Sequence, residues 1–351
     1  LEEFLISREL MNNLKNNKIK ALLVVGLGSI GLRHIKIAKS LREEIEIIAL
    51  TSRPLDFKDN PLIKYSVDNL DEALKLSPDA AIISNPAPYH LEFATPLALN
   101  SVPMLIEKPI SDSLAKVVEF RHAVNSTDNF VLVGYNLRFL NSLKLFRDLI
   151  HGKEVGKILS VRAEVGQDLR TWRKDRDYRE AVSSKSSLGG GVLLELSHEI
   201  DYLAWIFGKI HSVAGFFDRV SDLEIDVEDI SHLLIKFNDS FHSENLVANL
   251  SLDFLRKDTT RCCTAIGEAG TLSWDGINCT VKIFKEGEWH DLFEEGERVD
   301  CSYENQLLHF FDCIENSRVP IADLDSSVDV LRLIEGIKLS SSKNNFVEIV
   351  K

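Results

Sequence analysis

The chain has 351 residues, enough for about two domains of ordinary size, and its 44% apolar and 27% charged residues are a globular composition, neither disordered nor fibrous. Its 41 Lys and Arg against 54 Asp and Glu leave a formal charge of −13, which repels phosphate backbones and anionic lipid and argues against a nucleic-acid or membrane-surface role. The five cysteines (Cys262, Cys263, Cys279, Cys301 and Cys313) are odd in number and form no C-x-x-C pair, so a reducing, cytoplasmic compartment is expected, with no metal site. No stretch approaches the roughly 18 apolar residues of a membrane-spanning helix.

Residues 1–18 form an N-terminal extension. Glu2 and Glu3 and the lack of a long apolar run set it apart from a signal peptide, and it reads as an amphipathic helix or tail leading into the first strand. Residues 19–135 then alternate short apolar runs with helical patterns. Strands are expected over 21–25, 45–50, 80–84, 102–106 and 130–133, and helices over 29–41, 70–76, 91–99 and 115–124. Strands that are apolar throughout and separated by helices make a parallel sheet covered on both faces, here a doubly wound α/β nucleotide-binding domain. After residue 135 the texture changes. A helix over 142–151 and an alternating strand over 158–165 precede a polar, Arg-rich stretch, a glycine triplet and a strongly apolar helix over 192–207. Strands follow over 231–237, 244–252, 261–266, 271–274 and 281–284, and helices over 304–314 and 327–340 close the chain. Residues 136–351 therefore read as an α+β domain on a largely antiparallel sheet.

Three motifs carry chemistry. The first, Gly26-Leu27-Gly28-Ser29-Ile30-Gly31, directly follows an apolar strand and opens a helix, the setting that gives G-x-G-x-x-G its meaning. Gly26 permits the tight turn, Gly28 lets backbone approach a pyrophosphate, and Gly31 allows close helix–strand packing. The N–H groups of the helix start, Ser29 and Ile30 among them, then face the phosphates. The second strand ends Thr51-Ser52-Arg53 with no acid for a ribose diol, which suits the 2′-phosphate of NADP better than NAD; Arg53 as a plain solvated loop residue is the alternative.

The second motif is a pair of strand-end clusters, Asn85-Pro86 with His90, and Glu107-Lys108-Pro109, both at carboxyl ends of expected sheet strands where ligands bind. A lysine held over a partly desolvated cofactor can take part in proton transfer; taken alone, Lys108 is equally a surface lysine after an edge strand. The third is Gly189-Gly190-Gly191 leading into a helix with Glu195, His198 and Tyr202 on one face and Asp201 three residues after His198. A histidine within reach of a carboxylate exchanges a proton near neutral pH, whereas a core histidine bonded to a carbonyl does not. The segment 167–180 adds Arg170, Arg173, Arg176 and Arg179, with Trp172 and Tyr178, which suit a sugar carboxylate or a diphosphate; Tyr178 and Arg179 are the chosen substrate contacts, and a solvated loop of mixed charge is the alternative.

In this order and spacing the motifs resemble the Gfo/Idh/MocA family, named for glucose–fructose oxidoreductase and inositol dehydrogenase. The likeness runs from about residue 19 to residue 350. It includes GLGSIG, the Asn85-Pro86 turn with His90, Glu107-Lys108-Pro109, the run Gly134-Tyr135-Asn136-Leu137-Arg138-Phe139, the glycine triplet with His198 and Asp201, and Ser340. The resemblance implies a Rossmann domain over 19–135. It also implies a substrate and oligomerisation domain over 136–351 with an open sheet, a homodimer or homotetramer, and an active site in the cleft between the domains. The implied reaction is hydride transfer between nicotinamide C4 and a sugar-type hydroxyl or its ketone. Lys108 matches the family's catalytic lysine and His198 its proton-transfer histidine. Gly26, Gly28, Ser29, Ile30, Gly31, Thr51, Ser52, Arg53, Asn85, Pro86, His90, Glu107 and Lys108 are the expected cofactor contacts. Lys108, Asn136, Arg138, Tyr178, Arg179 and His198 are the expected substrate contacts. Many members carry an Asp four residues before the histidine; here that position is Leu194, and Glu195 is the expected replacement. The wording around the triplet looks like that of surface-glycan and sialic-like acid biosynthesis members. Two rival readings are an NADP-binding sensor without chemistry and a redox-neutral, NAD-dependent glycoside-cleaving enzyme.

Overall fold

A computed structural model describes residues 18–52, 60–127, 129–172, 177–238, 245–294, 296 and 300–349. The N-terminal extension lies outside these residues save for Lys18, as do Arg53, Arg173 and Arg176. The chain divides into two compact units. The first takes the described residues up to Ile110 together with Ala115–Gly134 and Ser302–Leu324, and the second takes Ser111–Leu114, Tyr135–Cys301 and the described residues from Asp325 onward.

Among the described residues the first unit holds a six-stranded sheet of β1 (Ala21–Val25), β2 (Glu46–Leu50), β3 (Tyr65–Val67), β4 (Ala80–Ile83), β5 (Met104–Ile106) and β6 (Val131–Val133) in the order β3-β2-β1-β4-β5-β6. Every pairing is parallel. Leu22 to Val25 and Ala80 to Ile83 are buried almost completely, because α1 (Ser29–Leu41), α2 (Leu70–Lys75), α3 (His90–Leu99) and α4 (Val117–Ser126) return the chain between parallel strands and cover the sheet. The strand order reverses between β1 and β4, the switch point at which open parallel sheets form a crevice, beyond Val25 and Ile83 where the glycine loop and the segment with Asn85 begin. The edge strand β3 was not read from the sequence; its three residues are too few and too exposed to give an apolar signal.

Among the described residues the second unit holds a nine-stranded sheet of β7 (Ile158–Gly166), β8 (Ile210–Asp218), β9 (Ile230–Phe237), β10 (Val247–Asp253), β11 (Thr260–Gly267), β12 (Thr271–Asp275), β13 (Thr280–Lys285), β14 (Glu288–Phe293) and β15 (Val347–Glu348). Its order is β14-β13-β12-β11-β7-β10-β9-β8-β15; only the central β7–β10 pairing is parallel. Along β9, Ser231, Leu233, Ile235 and Phe237 are buried while His232, Leu234 and Lys236 are exposed, the alternation of a sheet with one covered face. The covering helices are α5 (Asn141–His151), α6 (Val192–Glu195), α7 (Ser197–Phe207) and α9 (Leu324–Lys343). Trp274 of β12 donates to Ser142 of α5 at 3.1 Å and stacks edge-on against Tyr202 of α7. The N–H of Gly215 in β8 donates to Ser340 of α9 at 3.0 Å.

Two expectations are corrected. The apolar run 192–207 is not one helix: Leu196, at φ −99° and ψ 24°, separates α6 from α7, and no Pro or Gly in the run signals the break. Nor does everything after residue 135 pack in one body. Helix α8 (Cys301–Asn316) returns to the first unit from Ser302 onward, where Phe310 meets Phe130 at 5.8 Å between ring centroids and Glu315 takes a bidentate pair from Arg42. The periodicity of α8 shows an apolar face but not which layer covers it.

Candidate active site

In the first unit the glycine loop is built as its spacing requires. Gly26 lies at φ +87°, and a side chain there would put Cβ 2.7 Å from the Asn85 nitrogen. A Cβ at Gly31 would overlap the Gly26 carbonyl oxygen. Gly28 differs: a Cβ there meets nothing within 4 Å, so the loop is open on that side. Helix α1 starts beside that opening without a side-chain cap and without an acid in its first turn. Its first helical bond to the loop is Leu32 N–H to Gly28 O at 3.0 Å, which leaves the N–H groups of Ser29, Ile30 and Gly31 outside the helix's own bonding pattern. Open space, unspent donors and the positive end of a 13-residue helix together fit a pyrophosphate.

The rest of the expected cofactor set divides. Thr51 continues the sheet through its N–H to Val67 O at 3.1 Å, and Ser52 is exposed. Asn85 and Pro86 follow β4 after Ser84. His90 and Glu107, expected cofactor contacts, are buried and bonded to protein. The His90 ring lies between the carbonyl oxygens of Asn85 (Nε2, 2.7 Å) and Pro109 (Nδ1, 3.0 Å), and burial pushes its pKa down. Glu107 sits 2.7 Å from His34 Nε2 and accepts the Lys108 N–H at 3.3 Å. Lys108 is half-buried, on a cis peptide bond to Pro109. What sequence reading missed here is His34; its only trace is a histidine on the apolar face of α1.

In the second unit Asn136 and Arg138 lie in a buried 3₁₀ turn, Asn136–Phe139, after Tyr135. Arg138, expected to bind substrate, is committed to Asp201 of α7 through Nε to Oδ2 at 2.9 Å and Nη2 to Oδ1 at 2.6 Å. With side-chain exposures of 4% and 1%, the pair is a buried fork rather than an available one. One turn before Asp201, the buried His198 packs its ring edge-on against Tyr135 at 5.7 Å and 85°. Burial, and then the Asp201 carboxylate, hold the Tyr135 hydroxyl well above its ordinary pKa. The neighbouring Glu199 accepts from Arg261 Nε at 2.8 Å. Two ion pairs thus pin α7 on either side of His198, and neither partner arginine was paired with its acid from sequence, because each pair spans more than 60 residues.

Glu195, expected to share His198's helix face, stands on α6 beyond the break and accepts from Ser183 Oγ at 2.8 Å. The glycine triplet is a packing device. Gly191 is at φ +100°, a side chain there would overlap the Glu228 carboxylate, and that carboxylate accepts the Leu193 N–H at 3.1 Å. Burial pushes the Glu228 pKa up. In the Arg-rich segment, Arg179 bonds to Asp177 at 2.6 Å and to Glu224 at 3.0 Å, while Tyr178 OH accepts the Glu224 N–H at 3.3 Å. Arg170 and Lys257 both bond to Asp168. These guanidinium groups are met by carboxylates of the protein, Asp168 and Asp177 within the stretch and Glu224 outside it, so the fork geometry alone does not mark them for a ligand. Among the described residues no group of three His, Cys, Asp or Glu side chains could hold a metal ion, and no helix is long and apolar enough to cross a membrane.

Comparison with known proteins follows the same division. The chain is 28% identical over 202 residues to an uncharacterised oxidoreductase of Synechocystis sp., a match covering 55% of this chain and 52% of that protein. It spans about half the length of the first curated relatives it matches. A longer match, 24% over 348 residues, covers 92% of this chain and 93% of scyllo-inositol 2-dehydrogenase (NAD(+)) of Bacillus subtilis. Levoglucosan dehydrogenase, solved in complex with NADH, shares the fold with a TM-score of 0.82 over 95% of this chain and 99% of its own, at 16% identity. Residues 20–135 match the family model of the oxidoreductase family with an NAD-binding Rossmann fold, and residues 143–273 match the GFO/IDH/MocA C-terminal domain. With both domains of one family in order along one chain, this protein belongs to the Gfo/Idh/MocA oxidoreductases, and residues 20–135 are their NAD-binding Rossmann domain.

Proposed function

We propose that the protein transfers hydride between a nicotinamide cofactor and a secondary hydroxyl of a sugar or sugar derivative, or the corresponding ketone. The observation that carries the reading is the open side of Gly28 beside the uncapped start of α1, in the same unit as Lys108 at the carboxyl end of β5. When bound, the nicotinamide accepts or supplies the hydride. Ser29 and Ile30 hold the pyrophosphate through backbone N–H groups. Lys108 polarises the substrate oxygen, and His198 takes the hydroxyl proton as hydride leaves the same carbon, or returns it in the reverse direction. NADP is the favoured cofactor, because Thr51-Ser52 ends β2 without a ribose-binding acid. The substrate is a small sugar-type molecule of a class that includes nucleotide-linked and sialic-like sugars, and the working form is a homodimer or homotetramer.

One observation favours a second reading, an NADP-binding sensor without turnover: position 194 is Leu, and Glu195 is bonded to Ser183 beyond a helix break. Both readings are tested by titrating NADPH and NADH by fluorescence, then assaying a panel of sugars, inositols and sugar acids. Lys108→Ala and His198→Ala are expected to keep nucleotide affinity within about threefold and to lose about 10²-fold or more in kcat. Normal turnover by both variants overturns the dehydrogenase roles. Saturable nucleotide binding with no hydride transfer to any compound supports the sensor.

A further inference from the structure

We propose that His34 is a positioning residue for Lys108, acting through Glu107. The inference rests on the reading of Lys108 as the residue that polarises the substrate oxygen. His34 is fully buried on α1, and its Nε2 lies 2.7 Å from Glu107 Oε1. The carboxylate oxygen is the acceptor of this bond, so Nε2 is the nitrogen that donates. Among the described residues the other ring nitrogen, Nδ1, has no hydrogen-bond partner, and the ring meets Tyr303 edge to face at 5.9 Å between centroids, so the bond to Glu107 sets the tautomer and aims the ring.

Glu107 passes this constraint on. Its second oxygen, Oε2, accepts the Lys108 N–H at 3.3 Å. Gly134 leaves this carboxylate the space it occupies, because a Cβ there would come within 2.9 Å of the same oxygen. On the far side of Lys108 the Pro109 carbonyl lies 3.0 Å from His90 on α3. The backbone at Lys108 is therefore fixed from two helices, and one of them, α1, is the helix whose start forms the proposed phosphate cradle. A buried ion pair or charge-assisted bond is a weak source of stability compared with apolar packing of the same shape, whereas its direction is specific. Direction is what a lysine at a reacting oxygen requires.

The test uses the full chain with its lysines reductively methylated with ¹³C, the Lys108 dimethylamino resonance being assigned by its loss in Lys108→Arg. NADH, or NADPH if it binds the parent more tightly, is the probe. In the parent protein the nucleotide shifts the Lys108 resonance. In His34→Leu and in the isosteric Glu107→Gln, the nucleotide dissociation constant is expected to stay within about threefold while that shift falls by about half or more. His34→Gln, which still offers an N–H to Glu107, restores most of it. Should His34→Leu fail to fold, Glu107→Gln carries the comparison. A full-sized shift in the folded variants overturns the positioning role alone. A more than tenfold loss of nucleotide affinity also overturns it, by making the pair part of cofactor binding. No response of Lys108 to nucleotide in the parent overturns this proposal and the assigned role of Lys108 together.

Discussion

Arg138 and Asp201 illustrate how burial changes the meaning of a residue. An arginine in a motif near a proposed site reads as a ligand for an anion. Closed at 2.6 and 2.9 Å with both side chains out of solvent, it becomes the strut that orients the turn of α7 carrying His198. Removing one partner of such a pair costs about 3–5 kcal/mol, because the other charge is left buried alone. His90 follows the same logic with a pH signature. Burial lowers its pKa in the folded protein, so as pH falls the unfolded chain takes up the proton first. The stability it contributes is complete above the ordinary histidine range and is lost as pH drops below about 6.5. The thermal midpoint of the parent is expected to fall between pH 7 and pH 5 more steeply than that of His90→Gln. Equal slopes would show that His90 does not carry the effect.

At the level of elements, the glycine loop separates fold from function within six residues. Gly31 is required by packing, since any side chain would collide with the Gly26 carbonyl, whereas Gly28 faces open space. Gly31→Ala is therefore expected to destabilise the first unit by more than about 2 kcal/mol, measured by urea unfolding. Gly28→Ala is expected to leave the unfolding midpoint nearly unchanged and to weaken nucleotide binding about tenfold or more by filling the phosphate cradle. Loss of stability in Gly28→Ala with unchanged nucleotide affinity would contradict the assignment. The sequence showed this loop clearly because strand, turn and helix are contiguous there, and the expected helix over 29–41 is the one that formed. It failed at residues 192–207, where local propensity favours an unbroken helix and tertiary packing around Glu228 and Ser183 imposes two.

For the molecule as a whole, among the described residues the nine-stranded sheet has its helices on one face, and side chains of the other face are exposed. On that face Phe216 and Trp289 are each about half exposed (50% and 51%), and Leu234 is 42% exposed. A monomer rarely shows an apolar face of this kind, and the edges and face of an open sheet favour self-association. Light scattering during size exclusion is expected to give the mass of a dimer or tetramer, and Phe216→Glu combined with Leu234→Glu is expected to lower it. A monomeric parent would remove the sheet face as the association surface. The return of α8 to the first unit has the same origin as this expectation: apolar surface is covered by whichever layer is in reach.

The sequence by itself determined the class of each half, the glycine turn between β1 and α1, and the strand-end turn and the helix on which Lys108 and His198 stand, because these depend on periodicity and on contiguous motifs. It could not determine which buried acids answer which bases. His34 with Glu107 are 73 residues apart, Arg138 with Asp201 63, and Arg261 with Glu199 62. Pairing over such distances is chosen by how layers stack, and only the folded chain brings these groups within bonding distance.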